Sequence, residues 1–308
     1  LFPYTTLFRS RTKSSFVAGL KAFANTQAVP LNTSTNTSSR RAAASPRVAV
    51  TAVNPLTGLR DSPIVATGVG GLMSMLQALN PATTTKLVGL FNKDHLNYEL
   101  DRAKTANNID EPSLADMTET AIKILQKNGK GYFLMVEGGR IDHALHGTNA
   151  KRALEDTIAF DDAIKRALGV ADLKNTLIVV TADHDHTMTF NGYAHKGNPI
   201  LGKVTDIVKT TVQGKPVLAT AADNKPYTTL VFGNGGGPRK AVRDDLTSVD
   251  TTADDYLQEV GVNLGSAGSE THGGGDVMLF STGPGNAGFK GTMVNTKVFG
   301  LVKSALGL

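Results

Sequence analysis

Three short clusters of histidine and acidic residues carry the chemistry of this sequence, and each adjoins an apolar run. VEGGRIDHALH continues from the apolar run at 131–136, ADHDH follows NTLIVVT at 175–181, and ETHGGGD leads into DVMLF at 276–280. The side chains that could bind a metal ion are Glu137, Asp142, His146, Asp183, His184 and His272. In open α/β sheets, ligands bind beyond the carboxyl ends of the strands, so residues placed after strands favour a functional site.

The chemistry that these residue types could perform is metal-assisted. A carboxylate at the end of a buried strand is costly to leave unpaired, and a divalent cation neutralises several of them compactly. Zn²⁺ accepts imidazole nitrogen and carboxylate oxygen, whereas Mg²⁺ prefers carboxylate oxygen and water. The chain has no Cys, which excludes thiolate ligands and disulfides. A single histidine after a strand is usually a plain polar loop residue, but three such clusters together favour a metal site.

The elements that must position these clusters alternate between helix and strand. Residues 113–131 have a helical apolar period, with Ser113 and Asp116 as a capping box at the start and Gly129 after the end. Residues 149–169 predict a second amphipathic helix. The predicted apolar positions are Met117, Ala121, Ile122 and Leu125 in the first helix, and Leu154, Ile158, Ile164 and Leu168 in the second. Helices that alternate with the strands 131–136 and 175–181 predict βαβ units and a largely parallel sheet.

The C-terminal part of the chain contains a loop-rich region and then two further elements. Residues 191–270 are predicted to form a loop-rich insertion outside the sheet. Within it, GNGGGP at 233–238 lacks the Lys-Ser/Thr of a phosphate-binding loop, so a plain turn is the better interpretation. DVMLF predicts a strand, and VFGLVKSAL at 298–306 predicts a closing helix.

Several motifs resemble the C-terminal half of the alkaline phosphatase family, in family order from about residue 85 to the end. They are VEGGRIDHALH, RALEDTIAFDDAI, TLIVVTADHDHTMTFNGY, GNPILG, KPYTTL and SETHGGGDVMLFSTGPG. The resemblance implies a three-layer α/β sandwich with a largely parallel central sheet. It implies metal-dependent hydrolysis of phosphate monoesters, with two Zn²⁺ and one Mg²⁺ in the intact protein. It also implies a periplasmic or secreted protein and a possible homodimer.

The resemblance assigns the candidate ligands to three metal sites. It implies that Glu137 belongs to a magnesium site, that Asp183 and His184 belong to one zinc site, and that another zinc site is formed by Asp142, His146 and His272. The remaining histidines have plainer interpretations. His143 and His186 are expected beside the ligands, His195 near a pocket rim and His95 in a structural role, and Arg140 is expected in an ion pair.

The resemblance also implies a serine nucleophile that forms a phosphoserine, and this part of the family pattern is missing. Asp61-Ser62 imitates the family's Asp-Ser dipeptide, but Pro63 and Ile64 replace the small residues that follow it, and Glu137 comes too soon after it. We therefore expect a chain truncated on its N-terminal side, with an unknown nucleophile and little activity. The alternatives are a non-catalytic zinc-binding domain, a partner of a separately encoded half, or a related sulfatase or phosphodiesterase.

The N-terminal residues differ in character from the rest of the chain. Residues 1–10 resemble a translated DNA sequencing adapter, and we interpret them as a scar outside the fold. Residues 11–63 predict a low-complexity linker, and 64–308 form the family region. Eight of the 32 basic residues lie within residues 1–60, which contain no acidic residue, so the rest of the chain has 24 basic and 27 acidic residues. This balance argues against nucleic-acid binding, and no apolar run is long enough to span a membrane.

Overall fold

The chain forms two compact units in the computed structural model, which describes residues 4–9, 50–52, 64–67, 72–92, 94–104, 109–207, 211–212, 215–237, 242–266 and 268–308. The metal-centre unit contains Arg140–Ile158 and Ala182–Met278. The sheet unit contains the described residues of Pro3–Gly139, together with Ala159–Thr181 and Leu279–Leu308. Ser62 and most of residues 11–63 lie outside the described residues, so what we expect of them stays a prediction.

The described residues form α-helices and mostly short strands. The helices are α1 (Leu72–Ala78), α2 (Glu99–Arg102), α3 (Leu114–Leu125), α4 (Arg140–His146), α5 (Ala150–Val170) and α6 (Thr296–Ala305). The strands are β1 (Tyr4–Arg9), β2 (Val50–Ala52), β3 (Ile64–Thr67), β4 (Leu87–Leu90), β5 (Tyr132–Glu137), β6 (Thr176–Thr181), β7 (Asp185–His186), β8 (Met188–Phe190), β9 (Thr211–Val212), β10 (Lys215–Pro216), β11 (Leu230–Gly235), β12 (Val260–Asn263), β13 (His272–Gly273) and β14 (Leu279–Thr282). None of the helices in the described ranges has the length and apolar character needed to cross a bilayer.

The sheet unit is built on a four-stranded sheet with the order β14-β6-β1-β5. β1 pairs antiparallel with both of its neighbours, and Leu7 lies opposite Leu134 of β5 and Ile178 of β6. β5 and β6 therefore run in the same direction, as predicted. Neighbouring strands nevertheless pair antiparallel throughout this sheet, which differs from the largely parallel arrangement that we expected. A parallel pair occurs instead between β3 and β4.

The position of β1 corrects our expectation that residues 1–10 take no part in the fold. Residues 4–9 form a strand that hydrogen-bonds to β5 on one side and to β6 on the other. Their sequence, YTTLFR, is rich in the β-branched and aromatic residues that suit a pleated surface. The unpaired backbone groups of two strand edges favour a strand between them. The proposed adapter origin of these residues remains a prediction.

Apolar side chains leave the four-stranded sheet on both faces, which gives the unit three layers. On one face, Leu134 and Ile178 join a buried cluster with Ile122 of α3. On the other face, Leu177 and Val179 join a cluster that includes residues of α6. Continuous apolar strands such as β6 are typical of sheets covered on both sides. The predicted three-layer α/β architecture is therefore present in this unit.

Helix α3 confirms the prediction made from its period and its cap. The Ser113 hydroxyl accepts a hydrogen bond from the Asp116 backbone N–H at 3.1 Å, and the Asp116 carboxylate accepts one from the Ser113 N–H at 3.2 Å. This reciprocal pair satisfies backbone donors that the first turn would otherwise leave free. The four predicted apolar positions, Met117, Ala121, Ile122 and Leu125, are all buried.

Helix α5 is present, but it buries a different face from the one predicted. Ile158 is 57% exposed and Leu168 is 39% exposed. The buried positions are instead Ala150, Ala153, Phe160, Ala163 and Ala167. Four of these five residues are alanines, so small side chains make up most of the buried side of α5. The size of an apolar residue therefore did not indicate the buried side of this helix.

The region 191–270 contains more regular structure than the expected loops. β11 pairs parallel with β12 and antiparallel with β8, forming a three-stranded sheet in the metal-centre unit. GNGGGP, predicted as a plain turn, begins within β11. A Cβ atom on Gly236 would lie 1.6 Å from the carbonyl oxygen of Gly268, so close approach of two backbones requires glycine there. The strand predicted at 276–280 begins later, at Leu279, as β14.

Candidate metal centre

Helix α4 places two of the predicted ligands one above the other. Asp142 and His146 are four residues apart, which puts them on the same face of the helix. The other side of α4 carries Ile141, Ala144 and Leu145, which are buried. The alternation of polar and apolar residues in RIDHALH therefore presents both candidate ligands together, and the Asp142 Oδ1 and His146 Nε2 atoms are 3.3 Å apart.

The short ladder between β7 and β13 brings two more histidines to the same place. His272 lies opposite His186, and Gly273 lies opposite Asp185. The carboxylate of Asp185 occupies the space beside the glycine-rich loop, because a Cβ atom on Gly273 or Gly275 would lie 2.6 Å from its Oδ2. The glycines after His272 thus permit a close approach between the two segments.

One carboxylate oxygen, Oδ1 of Asp142, faces the Nε2 atoms of four histidines. The separations are 3.0 Å to His186, 3.3 Å to His146, 3.5 Å to His272 and 3.7 Å to His184. The rings also contact each other, with His184 stacked on His272 at 3.5 Å between centroids. We call Asp142, His146, His184, His186 and His272 the candidate metal centre.

Three atoms of this centre are spaced as ligands of one tetrahedral zinc ion would be. His146 Nε2 and His272 Nε2 are 3.1 Å apart, and they lie 3.3 and 3.5 Å from Asp142 Oδ1. Two ligands at zinc bond lengths of about 2.0–2.1 Å in tetrahedral geometry are themselves about 3.3–3.4 Å apart. The donor set of two imidazoles and one carboxylate therefore fits a metal ion in both chemistry and spacing.

Hydrogen bonds at the far nitrogens fix which ring nitrogen faces the centre. His146 Nδ1 lies 2.5 Å from the carbonyl oxygen of Glu270, and His184 Nδ1 lies 3.1 Å from that of Asp185. Because a carbonyl only accepts, each Nδ1 must carry the proton. A neutral ring then has its lone pair on Nε2, the form that binds a metal ion.

His186 differs from the other histidines because both of its nitrogens face carboxylates. Its Nδ1 is 2.6 Å from Glu270 Oε2, and its Nε2 is 3.0 Å from Asp142 Oδ1. Burial lowers the pKa of His186, but the hydrogen bonds to Asp142 and Glu270 outweigh it and raise the pKa to about 9. Burial likewise raises the pKa of Asp142, yet the His186 hydrogen bond leads the interactions that bring it below its ordinary value. His186 thus belongs to the same group of potential ligand atoms as Asp142, His146 and His272, and its expected place beside the ligands stays a prediction.

The side chains in and around the centre differ in their exposure to solvent. The side chain of His272 is 50% exposed and that of Asp183 is 43% exposed. By contrast, the side chain of Glu270 is fully buried. Solvent therefore reaches the centre at His272 and Asp183, whereas Glu270 is shielded from water.

The predicted site residues fall into three groups. Asp142, His146, His184 and His272 lie together, and Asp183 adjoins them with its Oδ2 atom 3.3 Å from His184 Nε2. Glu137 is the last residue of β5 and belongs to the sheet unit, so its magnesium role remains a prediction. The other predicted polar residues have local partners. His143 contacts Arg140, His195 contacts the Lys196 carbonyl, and His95 lies 3.7 Å from Asp94.

Glu270 is the residue that the sequence analysis missed. It lies in the ETHGGGD motif, two positions before His272, and its contacts with His146 and His186 link it to the centre. The available signal was its place in this motif, two positions before a predicted ligand.

The fold and the site define an α/β protein with a histidine–carboxylate cluster suited to metal ions. The family model for alkaline phosphatase matches residues 69–308, so the chain belongs to the alkaline phosphatase family. Over 211 residues, or 68% of this chain, it is 42% identical to the tissue-nonspecific alkaline phosphatase of Rattus norvegicus and 40% identical to the alkaline phosphatase of Gadus morhua. The chain spans only 37% and 40% of the lengths of these two relatives.

Solved structures of alkaline phosphatases are also similar to this chain. The Thermus thermophilus enzyme has a TM-score of 0.47 and 23% identity, with 77% of this chain and 55% of that chain covered. The enzyme of the Antarctic bacterium TAB5 has a TM-score of 0.46 and 21% identity, with 79% and 51% covered.

Proposed function

We propose that the protein to which this chain belongs hydrolyses phosphate monoesters with metal ions bound at the candidate metal centre. The observation that carries the proposal is the convergence of Asp142, His146 and His272, whose three donor atoms are spaced like ligands of one zinc ion. Membership of the alkaline phosphatase family supports the choice of phosphate monoesters as substrates. Sulfate esters and phosphodiesters are the alternative substrates that an assay must compare.

We assign the metal ligands as the family resemblance implies. Asp142, His146 and His272 would hold the first zinc ion. Asp183 and His184 would contribute to a second zinc site, and the separation of 3.7 Å between His184 Nε2 and Asp142 Oδ1 supports a neighbouring position. Glu137 would contribute to a magnesium site.

When bound, the metal ions would stabilise negative charge on the phosphoryl oxygens as Lewis acids. The chain's own residues prepare the site for them. His146 and His184 turn Nε2 lone pairs inward because their Nδ1 protons are donated to carbonyls. Asp142 supplies negative charge, and the exposed side of His272 and Asp183 leaves room for a phosphate group to approach from solvent.

The nucleophile is not assigned to any residue of this chain. The two described hydroxyls that contact Glu270 are those of Thr187, which donates to its carboxylate, and Ser269, which lies near its carbonyl. Each of these hydroxyls is engaged with Glu270, and Ser62 lacks the expected sequence context. We therefore propose that the chain binds zinc but shows little phosphatase activity when it is prepared alone.

The test combines zinc titration with hydrolysis assays. The purified chain should bind zinc, and His272→Ala should remove most of that affinity, whereas Ser62→Ala should change neither binding nor turnover. In the natural protein that contains these residues, hydrolysis of an aryl phosphate should require zinc and fall by orders of magnitude in His272→Ala. An aryl sulfate and an aryl phosphodiester serve as comparison substrates.

Each outcome separates the alternatives. Absence of zinc binding by the chain would refute the metal assignment. Zinc binding by a natural protein that hydrolyses none of the three substrates would indicate a non-catalytic zinc-binding domain. Rapid turnover by the chain alone that Ser62→Ala abolishes would refute our exclusion of Ser62 as the nucleophile.

The resemblance also supports export and a homodimer for the natural protein, and we include both in the proposal. Fractionation of cells and sedimentation equilibrium of the purified protein test them directly. A monomer that remains in the cytoplasm would contradict both.

A further inference from the structure

Glu270 is completely buried, and both its side chain and its backbone take part in hydrogen bonds. A buried carboxylate is costly unless its oxygens accept hydrogen bonds. Glu270 meets this condition through His186 and Thr187 of the β7 region, and its backbone hydrogen-bonds to His146 at the end of α4. Its position is therefore defined by the centre around it.

The carboxylate of Glu270 holds the segment that follows β7. Oε2 accepts a hydrogen bond from His186 Nδ1 at 2.6 Å. Oε1 accepts two from Thr187, one from its backbone N–H and one from its hydroxyl, both at 2.6 Å. Three short hydrogen bonds on one carboxylate fix the orientation of the His186 ring, whose other nitrogen faces Asp142 Oδ1.

The backbone of Glu270 holds the end of α4. Its N–H donates to the carbonyl of His146 at 3.0 Å, and its carbonyl accepts from His146 Nδ1 at 2.5 Å. The first bond places the last residue of the helix, and the second fixes the tautomer of its ring. Glu270 thus contacts the candidate metal ligand His146 with its backbone and His186, the hydrogen-bond partner of Asp142, with its side chain.

We propose that Glu270 is a positioning residue that sets the donor atoms of the candidate metal centre through His186 and His146. This inference rests on the proposed metal-binding function and extends it to a residue that touches none of the ligating atoms. Glu270 keeps the His146 lone pair directed inward, and it holds the His186 donor against Asp142. Groups that orient metal ligands from outside often change metal affinity about 10–100-fold when they are removed.

The experiment measures zinc affinity of the folded chain by competition with a chromophoric chelator. Glu270→Ala should weaken zinc binding about 10–100-fold. Glu270→Gln keeps the side-chain volume and the acceptor for Thr187, and its amide can donate to His186 Nδ1, so it should recover most of the affinity. The matched control is Glu111→Ala, which removes another buried carboxylate, one that accepts hydrogen bonds from Asn97 in the sheet unit. It should lower thermal stability and leave zinc affinity unchanged.

A double-mutant cycle tests whether Glu270 acts through His186. If it does, Glu270→Ala combined with His186→Ala should bind zinc no more weakly than His186→Ala alone. Additive losses would contradict action through His186. An unchanged zinc affinity in Glu270→Ala would overturn the proposal as a whole.

A metal-free measurement separates failure of this inference from failure of the proposed function. The His186 Nδ1 proton, held between the ring and a buried carboxylate, should give a downfield, slowly exchanging resonance in the metal-free chain. Glu270→Ala should abolish this resonance, whereas Glu111→Ala should preserve it. If the chain binds no zinc, the proposed function fails, but the resonance still tests whether Glu270 positions His186. Absence of the resonance in the unaltered chain would refute this positioning role.

Discussion

Replacement of His272 by alanine gives the sharpest test of the candidate metal centre. His272 supplies one of three donor atoms, and its Nε2 lies 3.1 Å from His146 Nε2 and 3.5 Å from Asp142 Oδ1. Its side chain is half exposed, so truncation leaves space that water fills and creates no buried cavity. Surface substitutions of this kind usually change stability by no more than about 0.5 kcal/mol. The substitution should therefore affect zinc binding far more than folding.

The expected loss follows from the number of ligands. Structural zinc sites with four protein ligands bind with about 10–16 kcal/mol, so each ligand carries about 2.5–4 kcal/mol. At about 1.4 kcal/mol for each tenfold change, loss of one ligand weakens binding about 10²- to 10³-fold. The remaining pair, Asp142 and His146, keeps its separation of 3.3 Å and should retain weak binding.

The assay is competition with a chelator of known zinc affinity, together with thermal unfolding of the metal-free chain. His195→Ala is the matched control, because His195 is an exposed histidine of the same unit whose ring hydrogen-bonds to the Lys196 carbonyl. It should bind zinc like the unaltered chain. Equal zinc affinities of His272→Ala and the unaltered chain would refute the assignment of His272, and a large loss in His195→Ala would refute the location of the centre.

Three further predictions concern the fold. Ile122→Ala removes a fully buried side chain and should lower the free energy of unfolding by about 2–5 kcal/mol. Ile158→Ala, at an exposed position, should change this free energy by less than about 0.5 kcal/mol. Urea unfolding compares the two variants, and equal losses would contradict the observed burial. Ser113→Ala removes the α3 cap and should cost about 1 kcal/mol in the same assay, so an unchanged midpoint would refute the role of the capping box. A hydrogen bond from Lys123 lowers the pKa of Glu119 below its ordinary 4.5, so its stabilising contribution is present above that pH and is lost as the pH falls through the lower folded value. Glu119→Gln should therefore be less stable than the unaltered chain near neutral pH, and the difference should shrink in acid; a difference that persists in acid would contradict this reasoning.

Sequence patterns over a few neighbouring residues predicted those elements whose stabilising interactions lie between residues close together in the chain. The capping box of α3 involves residues three positions apart, and its apolar period describes one face of a single helix. β5 and β6 were predicted because continuous apolar runs of that length are typical of buried strands. The failure at β1 shows the limit of this reasoning. YTTLFR has ordinary strand propensity, but only the pairing with two distant strands makes it part of the sheet.

The incorrect face of α5 has a different physical cause. Sequence patterns weigh a residue by its hydrophobicity, and on that scale Ile158 exceeds Ala163. Packing depends also on how closely two backbones can approach, and alanine allows the closest approach of any residue with a Cβ atom. Ala163 and Ala167 are buried to 1% and 0% exposure, whereas Ile158 remains exposed. Such a choice depends on the shape of the neighbouring surface, which no single helix encodes.

In the candidate metal centre, residue type predicts the candidate ligands, whereas only the three-dimensional structure identifies the groups that orient them. Few side chains bind zinc, so Asp142, His146 and His272 could be predicted as candidate ligands even though 126 positions separate the two histidines. The groups that orient them have no such signature, because any carboxylate or backbone carbonyl can accept a proton from an imidazole. Glu270 serves His186 with its side chain and His146 with its backbone, and the second role would be available to any residue type at that position. A substitution at Glu270 therefore removes only the side-chain part of its action, and for that reason the predicted loss of zinc affinity is smaller than the loss expected for a ligand.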